Sequence, residues 1–525
     1  MKKLIIDDNT LLLKDVKEFV FGKKTYSGVE ISTVTQARVK KAFDHLQALI
    51  EKKTPIYGVT TGFGDSCHRT ISPDQAEELQ RNLVAYLSCG TGPTIPEKAT
   101  RATFLIRLKS LSRGYSGVSP EFLEKMAFFL ENNWTPVVPR EGSLGASGDL
   151  IPLAYLARAL QGQGEIHAPS NSSGKATLIL SEVMAQAKVA PYVFKPKEAL
   201  AMVNGTSTMA GLCLVNLTQA EYLTELAATS TAWLCLALQG RTEAFGPLVN
   251  EKAGSHPGQA LVAKKVRTLL EAESYRPARA QDTPVKNGQT QGVVQDRYSL
   301  RCTPQILGPI VETIDQGSLW LEQEINSTTD NPLISEEGTL EMGGNFYGGY
   351  LSHSMDYLKI SLANLTDLLD RQLMMLIDEK SNRGLPPNLA DWSSLPESDR
   401  HLHHGLKGLH QAVSAITSEV MSKAMPNSIF SRSSESHNQD KVSLGMSAAV
   451  QCSEMLEQVF TVQSLYLICL AQALDLRGLK LEGPDSSSLY QNVRAHVPFV
   501  KRDMALGDHV RALSNRLKEL SYEKA

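Results

Sequence analysis

The feature that most narrows the fold is a set of long apolar segments with helical spacing and little strand-like alternation. They lie near residues 206–239, 303–327, 353–381, 405–424 and 443–475. Runs of that length exceed the ordinary globular helix, so they predict long rods lying together in a parallel bundle. The most apolar of them, around Thr208 to Gln239, carries Gln219, Glu221 and Glu225, which marks a buried core helix rather than a membrane span. Shorter helical patterns precede the rods at 35–53, 74–88, 97–113, 119–132 and 150–161. Residues 168–174, rich in Asn, Ser and Gly, read as an exposed turn. Residues 275–297 read as a long loop, a feature that in a compact domain is usually functional or mobile. The expected fold is mostly α-helical, with an N-terminal catalytic region over 1–200 and a long-helix bundle over 201–525.

Bulk properties exclude several classes of function. The 525 residues suffice for a large core, and a net charge of −3 leaves no basic footprint for nucleic acid. Seven cysteines, Cys67, Cys89, Cys213, Cys235, Cys302, Cys452 and Cys469, are scattered and form no Cys-x-x-Cys pair. That pattern argues against a disulfide framework or zinc ribbon and for a reducing compartment. The apolar run in Met1-Lys-Lys-Leu-Ile-Ile is too short for a signal peptide before acids interrupt it, so a soluble cytoplasmic protein with no membrane partner is expected. His401-Leu-His403-His404 lacks the completing carboxylate or second histidine of a metal site and reads as a solvated helix start. No Gly-x-Gly-x-x-Gly unit opens a βαβ element, so neither a metal nor a nucleotide cofactor is expected.

The stretch that carries chemistry is Gly142-Ser-Leu-Gly-Ala-Ser-Gly-Asp149, followed at once by the apolar Leu-Ile-Pro-Leu-Ala. It lacks the Gly-Lys-Ser/Thr of a phosphate loop and the Gly-x-Ser-x-Gly of a nucleophile elbow. A plain glycine-serine loop ending in a helix cap is the simplest alternative. Gly148, however, has no side chain to shield its amide nitrogen, which in a tight bend can reach the carbonyl carbon of Ala146. Closure of that five-membered ring, with loss of water from it and from the Ser147 side chain, leaves a methylidene conjugated to a carbonyl. No unmodified side chain is as electrophilic.

The segment through Asp149-Leu-Ile-Pro-Leu resembles the motif of the aromatic amino acid and histidine ammonia-lyases, whose Ala-Ser-Gly becomes methylidene-imidazolone (MIO). The resemblance extends over nearly the whole chain and implies that family's mostly α-helical fold. It also implies a homotetramer whose active sites are assembled from several subunits. Tyr57-Gly-Val-Thr-Thr-Gly-Phe-Gly64 is similar to the family's Tyr-Gly-x-Asn-Thr-Gly-Phe-Gly, which makes Tyr57 the implied base; Thr60 stands where the family has Asn. Gln295-Asp-Arg-Tyr298-Ser-Leu-Arg301 is similar to Gln-Asp-x-Tyr-Ser-x-Arg. The match implies that Arg301 binds the substrate carboxylate and Tyr298 assists proton movement. The two residues are three apart and would share a helical face, and a guanidinium suits two-point capture of a carboxylate. For either tyrosine to act as a base, its pKa must fall from about 10.

By the same match, Asn204 lies beside the ring and helps form it. Asn331 and Gln305 supply polar contacts, and Phe346 supplies an aromatic wall. Tyr86-Leu87 occupies the positions that set side-chain selectivity: His-Leu in tyrosine lyases, Phe-Leu in phenylalanine lyases and Ser-His in histidine lyases. Gln439 stands where histidine lyases use Glu, and a neutral amide cannot pair with an imidazolium. The expected substrate is therefore a small aromatic amino acid, phenylalanine or tyrosine, converted to cinnamate or coumarate and ammonia. The rivals are a 2,3-aminomutase, a histidine lyase, and a silent helical scaffold whose triad never cyclises.

Overall fold

The computed structural model describes residues 2–22, 25–168 and 176–525, so most of the turn expected at 168–174 lies outside the described residues. Five of its helices are the rods foreseen from periodicity: Ser207–Ala237, Thr303–Ile325, Gly349–Ile377, Lys407–Ser422 and Gly445–Leu476. Helix 207–237 packs against helices 97–112, 303–325, 349–377 and 445–476. It is buried on every side except at Glu221 and Glu225, as an apolar helix without a polar face must be. Its two buried amides are both paired: Asn216 donates to the Ala449 carbonyl at 2.8 Å and Gln219 to the Tyr522 hydroxyl at 2.7 Å. Gly445–Leu476 is long and apolar enough to cross a membrane by composition, yet 83% of that window is buried inside the fold.

The N-terminal helices Thr33–Glu51, Ala76–Leu87, Glu97–Ser112, Pro120–Glu131 and Leu150–Leu160 fall close to their expected positions. Local chemistry sets their ends. Ser32 Oγ accepts from the Thr35 N–H at 3.2 Å. Ser119 caps Phe122 in the same way at 3.3 Å, with Pro120 at the first helical position. Periodicity did not bring out helices 13–21, 180–187, 257–272, 484–496 and 507–523, nor the parallel pairing of Lys2–Ile6 with Tyr26–Ile31. Among the described residues every sheet has two strands. Among the described residues the larger of two hydrophobic clusters runs from Leu4 to Leu517, across residue 200, and a small one joins Leu46, Ile50, Ile56, Val59 and Ile334. The loop at 275–297 holds only a short 3-10 turn and a two-residue hairpin, Val285–Lys286 with Gln289–Thr290.

Candidate active site

A cavity of about 490 Å³ opens where five inter-helix segments meet the end of helix 76–87, and Tyr57, Tyr86, Leu87, Ser147, Asn204, Asn331, Phe346 and Gln439 all line it. Tyr57 stands on the loop after helix 33–51, and Tyr86 and Leu87 end helix 76–87. Ser147 precedes helix 150–160, and Asn204 is the C-terminal cap of helix 198–203. Asn331 and Phe346 come from the connection between helices 303–325 and 349–377, and Gln439 from the turn before helix 445–476.

The triad sits in a bend that its sequence dictates. Gly148 has φ +74°, and a Cβ there would collide with the carbonyl oxygen of Gly205. The Asp149 N–H donates to that same oxygen at 2.7 Å, so the 147–149 turn lies flat against residues 204–206. Asn204 Nδ2 donates to the Ser147 carbonyl oxygen at 2.8 Å, and Gln439 Nε2 donates to the Ser147 hydroxyl at 3.2 Å. The bend, the glycine that fits only there and the two donors on Ser147 suit a triad that must close on itself. The Asp149 carboxyl accepts from the Met209 N–H at 2.7 Å and the Ser143 hydroxyl at 3.3 Å. Burial nevertheless pushes it up to about 7.

Contrary to the fall a base requires, Tyr57 is raised above its ordinary value, chiefly by burial and also by the nearby Glu435 carboxylate. One contact opposes this: the Gly64 N–H donates to the Tyr57 hydroxyl oxygen at 2.8 Å and favours the tyrosinate. Thr60 fills its place in the loop, accepting from the Ile56 N–H at 2.8 Å and donating to the Thr54 carbonyl at 2.7 Å. Tyr86 is 58% exposed because the cavity is open, yet the packing around it pushes its phenol up to about 12. It stays protonated at neutral pH and lines the cavity.

Tyr298, Arg301 and Gln305 do not line this cavity. Tyr298–Arg301 forms a four-residue helix, and the Arg301 guanidinium lies 4.4 Å from the centre of the Tyr298 ring, on the shared face the spacing predicts. Arg301 and Gln305 line a separate depression with Arg241 and Asp296. Glu324, at the far end of the adjoining helix, accepts from the Thr206 hydroxyl at 2.6 Å, next to Asn204. At the helical rise per residue, Arg301 stands roughly 35 Å from that point. A single chain therefore presents the two halves of the predicted site at opposite ends of one rod.

The sequence reading passed over three residues. Glu435 lines the cavity and accepts from the Asp65 N–H at 2.8 Å, tying its turn to the Tyr57 loop. Buried Gln80 donates to the Gly58 carbonyl at 3.1 Å and accepts from the Leu200 N–H at 3.0 Å, joining that loop to helix 198–203. Arg107 is fully buried behind Asn204. None belongs to a recognisable motif, although charged or amide residues inside apolar helical patterns are the signal that could have flagged Gln80 and Arg107. Among the described residues, no group of three His, Cys, Asp or Glu side chains could hold a metal ion.

Residues 11–495 match the family model for aromatic amino acid lyases. The chain belongs to the aromatic amino acid lyase family. It is 33% identical to a histidine ammonia-lyase of Geobacillus sp. (strain WCH70), over 99% of this chain and 97% of that protein. It is 34% identical to a tyrosine ammonia-lyase of Cereibacter sphaeroides, over 92% of both. The solved structure of a tyrosine aminomutase from Streptomyces globisporus superposes with a TM-score of 0.91 at 29% identity, covering 100% of this chain and 98% of that one. The mostly helical lyase fold expected from the sequence is thus the observed one.

Proposed function

We propose that this lyase eliminates ammonia from L-phenylalanine, L-tyrosine or both, giving trans-cinnamate or p-coumarate. The reading is carried by the convergence of Tyr57, Tyr86, Asn204 and Gln439 on the bent Ala146-Ser147-Gly148 turn. The MIO ring made from those three residues would supply an electrophile for the substrate amine, which is otherwise a poor leaving group. Tyr57 would take the β-proton, its developing charge met by the Gly64 N–H already on its oxygen. The Glu435 carboxylate offers a partner to the substrate ammonium. Tyr86, Leu87 and Phe346 wall the ring of the substrate, and Asn331 faces its polar end. The protonated Tyr86 hydroxyl can meet a substrate phenol, whereas the neutral Gln439 amide adds no counter-charge for an imidazolium, leaving Glu435 to the substrate ammonium.

Arg301, Tyr298 and Gln305 would reach a site only from another copy of the chain, which supports the homotetramer implied by the resemblance. Tyr298 is 70% exposed, as a residue awaiting such a partner would be. Seven free cysteines accord with a cytoplasmic enzyme. A second reading, a 2,3-aminomutase that returns ammonia to the β-carbon, is favoured by the close superposition on a tyrosine aminomutase. Steady-state rates with phenylalanine, tyrosine and histidine, followed by the ultraviolet absorbance of the unsaturated acid, test the substrate. Dominant histidine turnover would overturn it, and β-amino acid as the main product would establish the second reading.

A further inference from the structure

Arg107 lies in helix Glu97–Ser112, touches neither Ser147 nor the cavity, and is fully buried. Its guanidinium donates to the carbonyls of Ala201 and Asn204, the latter at 2.7 Å, and to the Thr329 hydroxyl at 3.1 Å. One side chain thus grips two of the three segments that carry site amides, those of Asn204 and Asn331, since Thr329 lies two residues before Asn331. Gly205 is moulded to it: a Cβ there would run into the Arg107 guanidinium. On the opposite side, Gly205 presents its carbonyl to the Asp149 N–H and leaves no room for a side chain on Gly148. The order in space is therefore Arg107, then the 204–205 backbone, then the 147–149 turn. Burial lowers the guanidinium only to about 10, with Asp330 and Asp149 opposing the fall, so the strut is charged at neutral pH.

We propose that Arg107 is a positioning residue for cyclisation of the triad, holding residues 204–205 as the anvil against which Ala146-Ser147-Gly148 is bent. This rests on the reading of the triad given above. In the closure, the Gly148 nitrogen bonds to the Ala146 carbonyl carbon. That carbonyl oxygen leaves as water with the Gly148 and Ser147 amide protons, and the Ser147 hydroxyl leaves as a second water with the Ser147 α-proton. No oxidant or co-reactant enters. The step depends on the approach of one nitrogen to one carbon, and a misplacement of about 1 Å in such a geometry slows a reaction by about a hundredfold.

The test follows intact mass with time after a short pulse of expression, in the full chain carrying Arg107→Met, Arg107→Lys or Lys109→Met. Lys109 is the control: it lies on the same helix, is also buried, and also donates to backbone carbonyls, of Asp7 and Asn9, but far from the triad. Arg107→Met is expected to lose its two waters about a hundredfold more slowly than the native chain. Arg107→Lys, which keeps the charge but not the fork, should fall between them. Lys109→Met should melt at a lower temperature yet dehydrate at the native rate. The proposal is overturned by Arg107 variants that dehydrate at the native rate, or by a Lys109→Met chain as slow as Arg107→Met, since closure would then follow stability alone. Should Arg107→Met fail to accumulate as soluble protein, Arg107→Lys decides in its place. A native chain that deaminates without losing two waters would overturn the preceding reading instead, and is recognised in the same experiment.

Discussion

The two halves of the predicted site are built in opposite ways. Around Ser147 the chain is finished: Gly148 and Asp149 are buried, the turn is held by Gly205, Asn204 and Gln439, and Arg107 braces it from behind. Around Arg301 it is open: Tyr298 is exposed, and the long loop before it is largely irregular. A triad that is to cyclise, as proposed, must be bent by the fold alone before any substrate arrives, which accords with constraints that are internal. The proposed carboxylate clamp at Arg301 would have work to do only when substrate is present, and so could be left for another copy to present. Under the proposed function, the separation along helix 303–325, roughly 35 Å at the helical rise, would make each half dependent on a neighbouring copy.

Four substitutions break or sharpen that contrast. Tyr57→Phe in the finished half should lower kcat by about 10²- to 10⁴-fold with the two-water mass deficit intact; a smaller loss in stopped-assay rates would move the base elsewhere. Arg301→Gln in the open half should cost about 2 to 5 kcal/mol in kcat/KM, mostly through KM, again with full dehydration. Co-expressed, these two variants should regain activity, because sites drawing Tyr57 from one chain and Arg301 from another are native. No recovery in the mixed oligomers contradicts a divided site.

Asp149→Asn tests how tightly the finished half is sealed. The folded chain holds the Asp149 proton more firmly than the unfolded chain does, with a value of about 7 against 3.8. The contribution to stability is therefore full below the unfolded value and is lost as pH rises through the folded one. The slope approaches about 1.4 kcal/mol per pH unit in that window. Melting temperatures measured across it should fall for the native chain, and the slope should flatten in Asp149→Asn, whose amide can still face Met209 and Ser143. Gln439→Glu carries the smallest effect, raising histidine turnover relative to phenylalanine by about tenfold through one added charge. An unchanged ratio would remove Gln439 from selectivity.

Much of this was legible in the sequence because periodicity and motif each encode something local. The rods at 207–237 and 445–476 are apolar over a length that only a buried helix can use. Every motif residue expected in the finished half lines the cavity or the bend. Helices 257–272 and 507–523 were missed although their buried faces are regular, Val262, Val266, Leu269 and Leu270 in one and Val510, Leu513 and Leu517 in the other, because most of the remaining residues in each are polar. The parallel strand pair was missed because its partners are separated by a helix and pair only in the folded chain. The distance between Arg301 and Ser147 was likewise beyond reach, since spacing along a chain does not give separation in space. Arg107 and Glu435 are placed at the site by the folded chain, with no motif to announce them.

The most direct measurement is the intact mass of the purified native chain beside that of Ser147→Ala, each assayed for deamination of phenylalanine and tyrosine. The account predicts a native chain two waters lighter than its sequence and active, and a Ser147→Ala chain that lacks the dehydrated ring and is inactive. An active native chain at its full sequence mass, or an Ala variant with undiminished activity, would contradict it.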